Sequence, residues 1–293
     1  MADLVIRPSG LTSWNDCARR GFASMALDRM TGAPLAELMR LGSFDLKPRD
    51  NGVGAAVGSG VHAGAAYTLN TKMETGEIGN DNEAEDRAVE EFQTRTEEEG
   101  VIWDQTTRDR DTAKRQISRM TRTYRRKLAP ELEPVIVERR LQAVVDDTPG
   151  QKCIVSGQPD TVAQMGEELH DLKTGVQQRA NGAQYGCYGM VARAHGYPVD
   201  VFIEDFIKRV NPKNDQPDPT AMKLLTHVCE QLALDTINDI RRSIAEFESR
   251  LAHGNAPPEG AFRANPLSMM CSDRYCAAHS TPFCRSHLPA KEK

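Results

Sequence analysis

The stretch that decides the fold reads Pro159-Asp160 and then, after a short connection, Asp171-Leu172-Lys173. The connection contains Met165-Gly166-Glu167-Glu168, which is polar and holds a glycine, as a hairpin turn does. We therefore interpret the two pieces as antiparallel strands of one hairpin. Because successive side chains of a strand alternate between its faces, Asp171 and Lys173 point to the same side.

Two registers of this hairpin bring all three charged groups to one face of the sheet, whereas a three-residue loop would not. With Met165-Gly166 as the loop, Asp160 faces Asp171, and with a loop centred on Gly166-Glu167 it faces Lys173. Two neighbouring carboxylates repel unless a cation lies between them, and their hard oxygens suit Mg²⁺ or Mn²⁺. A nearby lysine can polarise a water or stabilise charge on a phosphate. The pattern is typical of a phosphodiester-cleaving site, although an Asp–Lys pair on a strand is more often a solvated surface pair.

Length and composition limit the class of protein. The 293 residues can form one large domain or two small ones, and the net charge of −5 means that nucleic acid would need a local basic patch. No apolar run is long enough to span a membrane and no signal peptide is recognisable, so we expect a cytoplasmic location. Thiols stay reduced there, and the seven cysteines are therefore expected to bind metal or lie in the core.

Hydrophobic periodicity and turn residues predict both helices and strands. Helices are predicted at residues 9–27, 61–73, 81–99, 106–128, 181–195 and 220–253, and a glycine-rich loop at 41–60. Strands are predicted at residues 134–145, 153–163, 169–174 and 199–210. The first three strands would form an antiparallel meander with a turn at 146–150.

Two neighbouring predicted helices carry opposite charge. The helix at 81–99 is acidic, and the helix at 106–128 is basic, with Arg108, Arg110, Lys114, Arg115, Arg119, Arg122, Arg125, Arg126 and Lys127. The basic helix either faces DNA, where its residues would contact phosphates, or pairs with the acidic helix.

Three further polar residues are candidates for the same site. His62 ends the run Gly58-Ser59-Gly60-Val61-His62, whose small residues allow another backbone or a nucleic-acid strand to approach closely, and its nitrogen would favour Mn²⁺. Gln184 and Tyr188 lie four residues apart on one face of a predicted helix, which could look towards the Asp-Leu-Lys strand. Alternatively, His62 is structural, Tyr188 packs in the core and Gln184 faces water.

The C-terminal tail contains Cys271-x4-Cys276-x7-Cys284 and little apolar content, so something other than a core is expected to order it. Three thiols so close together indicate one metal centre, either iron–sulfur or zinc, and His279 and His287 could complete a zinc site. Cys17 could supply a fourth thiol and close a loop of about 250 residues, which would constrain the unfolded chain. The remaining cysteines fall in strand or helix patterns and are expected in the core: Cys153, Cys187 and Cys229.

Taken together and in this order, the motifs resemble the RecB-like branch of the PD-(D/E)xK nuclease superfamily. The resemblance covers most of the chain and is weakest between residues 70 and 130. It consists of Leu11-Thr12-Ser13-Trp14 to Cys17, Gly60-Val61-His62, Gly157-Gln158-Pro159-Asp160, Asp171-Leu172-Lys173, Gln184 to Tyr188 and the C-terminal cysteines.

The cysteine arrangement narrows the resemblance to iron–sulfur nucleases. One cysteine before the nuclease core and three after it is the pattern of the CRISPR adaptation exonuclease family and of the nuclease domain of AddB-type helicase–nucleases. Two features depart from it: Ala18 stands where the family usually has proline, and the first C-terminal spacer has four residues instead of two. The second departure keeps the zinc alternative open.

The resemblance implies a fold and a division of the chain. The fold would be α/β, with a restriction-endonuclease-like core whose mixed central sheet is flanked by helices. That core would occupy residues 31–256, with a helical insertion near 80–130. The N-terminal helix at 1–30 would carry the first cluster cysteine and form an iron–sulfur subdomain with the C-terminal cluster-binding tail at 257–293.

The resemblance also implies residue roles. The ligands of a catalytic Mn²⁺ or Mg²⁺ would be His62, Asp160, Asp171 and the carbonyl of Leu172. Lys173 would orient or activate the attacking water, Gln184 and Tyr188 would position the site and the strand, and Glu138 would support the site from a neighbouring strand. A structural [4Fe–4S] cluster would be held by Cys17, Cys271, Cys276 and Cys284.

The expected activity is that of a metal-dependent DNA exonuclease acting on single strands or DNA ends, with 5′→3′ polarity favoured by the resemblance. The alternative is a non-catalytic iron–sulfur or zinc protein that binds DNA or acts as a scaffold in recombination or CRISPR adaptation, but the intact Asp160, Asp171 and Lys173 favour the enzyme. No G-x-x-x-x-G-K-[ST] loop is present, so no helicase motor is expected. Partners would be DNA and, as further candidates, recombination, replication or CRISPR adaptation proteins and a second copy of the chain.

Overall fold

Three sheets and the helices around them make up the described part of the molecule. The computed structural model describes residues 3–27, 44, 46, 51–98, 100–148, 151–179, 181–254 and 256–287. The strands in these residues are β1 (Leu4–Ile6), β2 (Asn51–Gly52), β3 (Val101–Ile102), β4 (Pro134–Val137), β5 (Leu141–Thr148), β6 (Gln151–Gly157), β7 (Thr161–Ala163), β8 (Glu168–Gly175), β9 (Val201–Lys208) and β10 (Thr220–Leu224). The α-helices are α1 (Leu11–Asp16), α2 (Ala18–Leu27), α3 (Val53–Thr75), α4 (Asp81–Glu98), α5 (Arg110–Lys127), α6 (Gly182–Ala194) and α7 (Thr226–His253). None of these helices is both long and apolar enough to cross a membrane.

The largest sheet is mixed and has the strand order β10-β9-β8-β7-β4. Its strands β8 and β9 are parallel, and its other neighbours are antiparallel. A second sheet has the order β1-β6-β5, with β1 parallel to β6, and β2 pairs with β3 in parallel. Parallel neighbours need a crossover connection, and α6 lies in the crossover between β8 and β9. The α/β architecture with mixed sheets flanked by helices, expected from the sequence, is confirmed.

The five-stranded sheet separates two hydrophobic cores. On β8, Leu172 packs with residues of α3, α4 and α5, whereas Leu169 packs with residues of α6, α7 and the N-terminal helices. Burying a side chain of this size stabilises the fold by roughly 1.5–3 kcal/mol. Because β8 is held from both faces, the polar residues that it carries have fixed positions.

Two predicted strands each divide between two sheets. The strand predicted at 134–145 ends at Val137, because Glu138 has a φ of 45° and turns the chain towards β5. The strand predicted at 153–163 is interrupted at Pro159, which has no N–H to donate to a ladder. The predicted meander is therefore wrong. The turn predicted at 146–150 begins too early, since β5 continues to Thr148, and residues 149 and 150 lie outside the described residues.

Several helix boundaries also differ from the prediction; the helix predicted at 106–128, for example, begins at Arg110. α3 begins at Val53, inside the predicted loop. Its glycines do not mark a loop but let neighbouring helices pack closely. A Cβ on Gly60, for example, would lie only 2.6 Å from the carbonyl oxygen of Ala88 on α4. The helix predicted at 9–27 is broken at Cys17, whose φ of −154° and ψ of 107° are extended. Residues 220–224, predicted to begin a helix, form β10 and pair with β9.

Aromatic side chains join the tail to the N-terminal helices. Phe22 of α2 stacks on Phe262 with ring centroids 4.2 Å apart, and Phe283 lies 5.7 Å from Phe22. Trp14 of α1 meets Phe262 edge-on at 5.8 Å, and Phe247 of α7 lies 5.3 Å from Phe262. The expectation that no core orders the tail is wrong, because few but large apolar side chains suffice to join it to the main core.

The close packing of α6 against α7 depends on Gly186, and we expect Gly186→Ala to destabilise the fold. A Cβ there would lie 2.2 Å from the carbonyl oxygen of Cys229, a backbone atom that cannot move without shifting α7. The free energy of unfolding, measured with urea, should fall by about 3 kcal/mol. Gly182→Ala in the same helix is the control, since its Cβ would come nearest to the flexible end of Leu232, at 3.1 Å. Equal stability of the two variants would contradict the packing argument.

Candidate active site

The hairpin of β7 and β8 adopts the register that places Asp160 opposite Asp171. Thr161 pairs with His170, and continuing this antiparallel alignment by one residue aligns the two aspartates. The turn centres on Met165-Gly166, whose φ values of 59° and 96° are both positive, as a tight hairpin turn that follows the strand twist requires. Of the two registers left open by the sequence, the structure has the first.

Three side chains from three elements form a group with the spacing of metal ligands, hereafter the ligand trio. His62 lies on α3, Glu138 follows β4 and Asp160 precedes β7. His62 Nδ1 is 3.3 Å from Glu138 Oε1 and 3.3 Å from Asp160 Oδ1, and the ligand atoms all lie within 4.8 Å of one another. Ligand atoms at about 2.1 Å from a Mg²⁺ ion lie roughly 3 Å apart, so one imidazole and two carboxylates fit a hard divalent cation. Asp160 Oδ2 also accepts a 2.7 Å hydrogen bond from the Leu172 N–H, which fixes it against β8.

Glu138 is oriented by its backbone and by Gln158. A φ of 45° is uncommon for a residue with a side chain, and the surroundings must stabilise it. The Glu138 N–H donates to the carbonyl oxygen of Asp160 at 2.9 Å, and Gln158 Nε2 donates to Glu138 Oε2 at 2.7 Å. These hydrogen bonds leave Oε1 to face His62.

Asp171 and Lys173 lie on the face of β8 that α6 covers. The Asp171 side chain is 1% exposed and contacts the Lys173 ammonium. Gln184 Nε2 lies 3.5 Å from Asp171 Oδ1 and 3.1 Å from the Tyr188 hydroxyl oxygen. Both α6 side chains are buried, so the alternative that leaves Gln184 in water is wrong. The structure thus places Asp171 with Lys173 and Gln184, adjoining the ligand trio but outside it.

The charged groups of the site shift one another's pKa values. Burial lowers the pKa of His62, but Asp160 and Glu138 outweigh it and hold that pKa well above its usual value. Burial raises the pKa of Asp160, yet His62 and Lys173 bring it below its usual value. For Asp171, burial and the charge of Asp160 outweigh Lys173 and raise the pKa. Burial lowers the pKa of Lys173, but the neighbouring carboxylates outweigh it and raise that pKa. The carboxylates of the site therefore favour the positively charged forms of His62 and Lys173, and a site that binds a cation requires the same negative surroundings.

The ligand trio opens into a cleft of about 710 Å³. Gly54 and Gly58 of α3 line it with little side-chain bulk, and Lys173 and Gln158 also border it. A Cβ on Gly58 would lie 2.9 Å from Oγ1 of Thr174, so the glycine allows α3 to approach the end of β8. An elongated substrate can reach the trio along this small-residue wall.

A second pocket is lined by the four predicted cluster cysteines, Cys17, Cys271, Cys276 and Cys284; this is hereafter the cysteine pocket. His279 borders it as well, and the side chain of His287 lies outside the described residues. Burial raises the pKa of the Cys284 thiol. The charge of the Arg19 guanidinium and its hydrogen bond to the thiol lower this pKa, but burial outweighs them. Arg19 also donates to the carbonyl oxygen of Phe283 at 3.2 Å, which connects α2 to the tail. The other three cysteines are buried in the core, as expected: Cys153, Cys187 and Cys229.

The basic helix pairs largely with the acidic helix. In α5, Arg122 forms an ion pair with Glu85 of α4, and the buried Arg125 forms one with Asp81 at 2.7 Å. Within the described residues, four basic side chains of this segment have neither an ion-pair partner nor a side-chain hydrogen bond: Arg108, Lys114, Arg115 and Arg126. None of these lines the cleft.

Sequence reasoning missed two buried polar pairs beside the site. His170 on β8 is hydrogen-bonded to Asp205 on β9 at 2.8 Å, and Tyr185 on α6 donates to Glu204 on β9. The available signal was the pair Glu204-Asp205 inside the otherwise apolar run of β9. Two acids in a buried strand indicate partners on both faces of the sheet.

Comparisons with known proteins place the chain in a family. The model of the PD-(D/E)XK nuclease superfamily matches residues 8–284, a range that includes both the ligand trio and the cysteine pocket. A crystal structure named "Putative exonuclease" from Eubacterium rectale is 14% identical, with a TM-score of 0.40, over 71% of this chain and 73% of that one. The crystal structure of SSO0001 is 12% identical, with a TM-score of 0.27, over 78% of this chain and 98% of that one. No curated protein matches. The family match extends over almost the whole chain, and the chain therefore belongs to the PD-(D/E)XK nuclease superfamily.

Proposed function

We propose that the chain is a metal-dependent DNA exonuclease that hydrolyses phosphodiester bonds of single strands or DNA ends. The observation that carries this proposal is the ligand trio at an open cleft, with Lys173 on the same cleft. A cation site with an ammonium group beside it can stabilise the negative charge that develops on phosphate. The 5′→3′ polarity is proposed from the sequence resemblance alone.

The proposed metal ligands follow from the distances in the site. His62, Glu138 and Asp160 hold the cation, and Asp171 and the Leu172 carbonyl are the remaining candidate ligands. When bound, Mg²⁺ or Mn²⁺ supplies Lewis-acid stabilisation of the phosphate charge.

The remaining side chains orient the reacting groups. The Lys173 ammonium orients the attacking water, and the contact with Asp171 keeps this ammonium in position. Gln184 fixes Asp171 from α6, and Tyr188 in turn fixes Gln184. Each proposed catalytic side chain is thus supported by a neighbour that limits its rotamers, which is what precise positioning requires.

We also propose that the cysteine pocket holds a structural [4Fe–4S] cluster. A zinc ion with four thiolates at about 2.3 Å would bring their sulfur atoms to within about 3.8 Å of one another. In the described part of the chain, no three ligand atoms of this pocket lie within 4.8 Å of one another. The wider spacing favours a cluster of several irons, and the Arg19 guanidinium offsets part of its negative charge. Residues 1–30 and 257–293 would then form one iron–sulfur subdomain.

End-labelled oligonucleotides test the exonuclease proposal. With Mn²⁺ or Mg²⁺, a linear single strand labelled at its 5′ end should lose the label at once in short products. The same strand labelled at its 3′ end should shorten progressively, because degradation then runs towards the label. Cleavage should need the added metal, since the ligand trio would otherwise lack its cation.

A circular single strand of the same sequence is the matched control, because it has no end. Cutting of the circle at the rate of the linear strand would show an endonuclease and contradict the exonuclease proposal. Binding of the linear strand without any cleavage would favour the non-catalytic scaffold instead.

A further inference from the structure

The segment Glu138-Arg139-Arg140 connects the two larger sheets beside the cleft. Arg139 and Arg140 are both exposed, and neither has an ion-pair partner among the described residues. Two residues span at most about 7 Å, so the backbone of Arg140 lies close to that of a ligand-trio member. The segment therefore places free positive charge beside the candidate cation site.

Gln158 connects Arg140 to the ligand trio. Arg140 Nη2 lies 3.5 Å from Gln158 Oε1, and Gln158 Nε2 donates to Glu138 Oε2 at 2.7 Å. A guanidinium can only donate and a carboxylate can only accept, so the amide of Gln158 has one orientation that satisfies both. Gln158 itself lines the cleft, so the exposed Arg140 guanidinium lies next to a residue of the cleft wall, at the edge of the cleft.

The charges of the cleft explain why a nucleic-acid strand needs an unpaired arginine beside it. A nucleic-acid backbone is negative, and the carboxylates of the ligand trio repel it. The lysine and the arginine that line the cleft are engaged, because Lys173 contacts Asp171 and Arg95 forms an ion pair with Glu91 at 2.8 Å. Arginine suits phosphate oxygens, since its planar fork can donate two hydrogen bonds to one phosphate group.

We infer that Arg140, with Arg139 beside it, is a binding site for the backbone phosphates that flank the scissile phosphate of a nucleic-acid strand. This inference rests on the proposed function, and it names the side chains that place the strand. Side chains that bind phosphates position a strand without reading its bases, so binding at this site is independent of sequence. Gln158 sets the distance between the bound phosphate and Glu138.

Salt-dependent binding of a fluorescent single-stranded oligonucleotide, measured without divalent metal, tests the inference. The double variant Arg139→Ala/Arg140→Ala should lower the slope of log K against log salt by about 0.7 for each phosphate that the protein no longer neutralises. In Mn²⁺-dependent cleavage, KM should rise about tenfold while kcat changes less than about twofold, because the variant is weakened in strand binding. Arg115→Ala/Arg126→Ala on α5 is the matched control and should leave slope and KM unchanged.

The outcomes separate this inference from the proposed function. If the Arg139/Arg140 variant keeps the wild-type slope and KM, or if the α5 variant shows the weakened binding instead, the assignment is overturned. A wild type that binds the strand but never cleaves it contradicts the nuclease proposal, and the salt slopes still decide the phosphate site. A wild type that neither binds nor cleaves overturns both.

Discussion

Lys173→Met should reduce the cleavage rate of single-stranded DNA by about 10²–10³-fold and leave the fold intact. The Lys173 ammonium contacts Asp171 and borders the cleft that holds the ligand trio. Removing a donor that stabilises transition-state charge raises the barrier by about 2.7–4 kcal/mol. Methionine retains the length and the packing of the side chain, whose ammonium lies 5.9 Å from the Tyr185 ring centroid, so the reduced rate reports on charge.

Initial rates on a 5′-labelled strand with saturating Mn²⁺, together with thermal melting of both proteins, measure this effect. Lys152→Met is the control, because Lys152 is exposed on β6 and does not line the cleft. Its variant should cleave at the wild-type rate. A Lys173→Met protein as active as wild type would remove Lys173 from the proposed mechanism. A folded Asp160→Asn protein with full activity would remove the cation site as well.

Cys17→Ser should abolish iron incorporation and lower thermal stability strongly. Metal binding to such a site adds to folding free energy, and we expect the free energy of unfolding to fall by at least about 3 kcal/mol. In a chain of this size that corresponds to a decrease in Tm of at least about 5 °C. Cys17, which lies between α1 and α2, is the proposed ligand from the N-terminal helices, so its replacement should also loosen the packing between α2 and the tail.

Iron and sulfide per chain, visible absorbance and Tm, all measured after anaerobic purification, test this prediction. Cys229→Ala is the matched control, since Cys229 is buried but lies outside the cysteine pocket. It should keep the iron and lose less stability. A colourless wild type with one zinc per chain would overturn the cluster proposal and support the zinc alternative. A wild type without bound metal, as stable as Cys17→Ser, would overturn both.

Local sequence patterns predicted the centre of the site well. The alternation in β8 and the glycine of its turn predicted a hairpin that carries Asp160, Asp171 and Lys173, because a hairpin depends on neighbouring residues. They left two registers open, and the structure has the one that aligns Asp160 with Asp171. The periodicity of the sequence predicted the helix that carries Gln184 and Tyr188. This helix packs on β8 because it lies in the short connection between β8 and β9. These interactions involve residues close in sequence, which is why patterns could predict them.

Other features depend on residues far apart in sequence and were not predictable. The break between β4 and β5 needs a positive φ at Glu138. Glutamate seldom adopts a positive φ, so its presence in the sequence does not predict a break at this position. Gly60 resembled a loop residue, but it is helical because Ala88 of another helix approaches it. The place of Glu138 in the ligand trio, which the sequence supported only loosely, follows from that same backbone turn.

The aromatic packing between the two ends of the chain has a consequence for biosynthesis. Trp14 and Phe22 are made early, yet their partner Phe262 follows some 240 residues after Phe22, which at about 5–20 residues per second takes roughly 10–50 s. During that interval the nascent chain exposes apolar rings that it cannot bury by itself. Translation speed and chaperone capture during that interval should therefore affect the yield of folded protein in a cell.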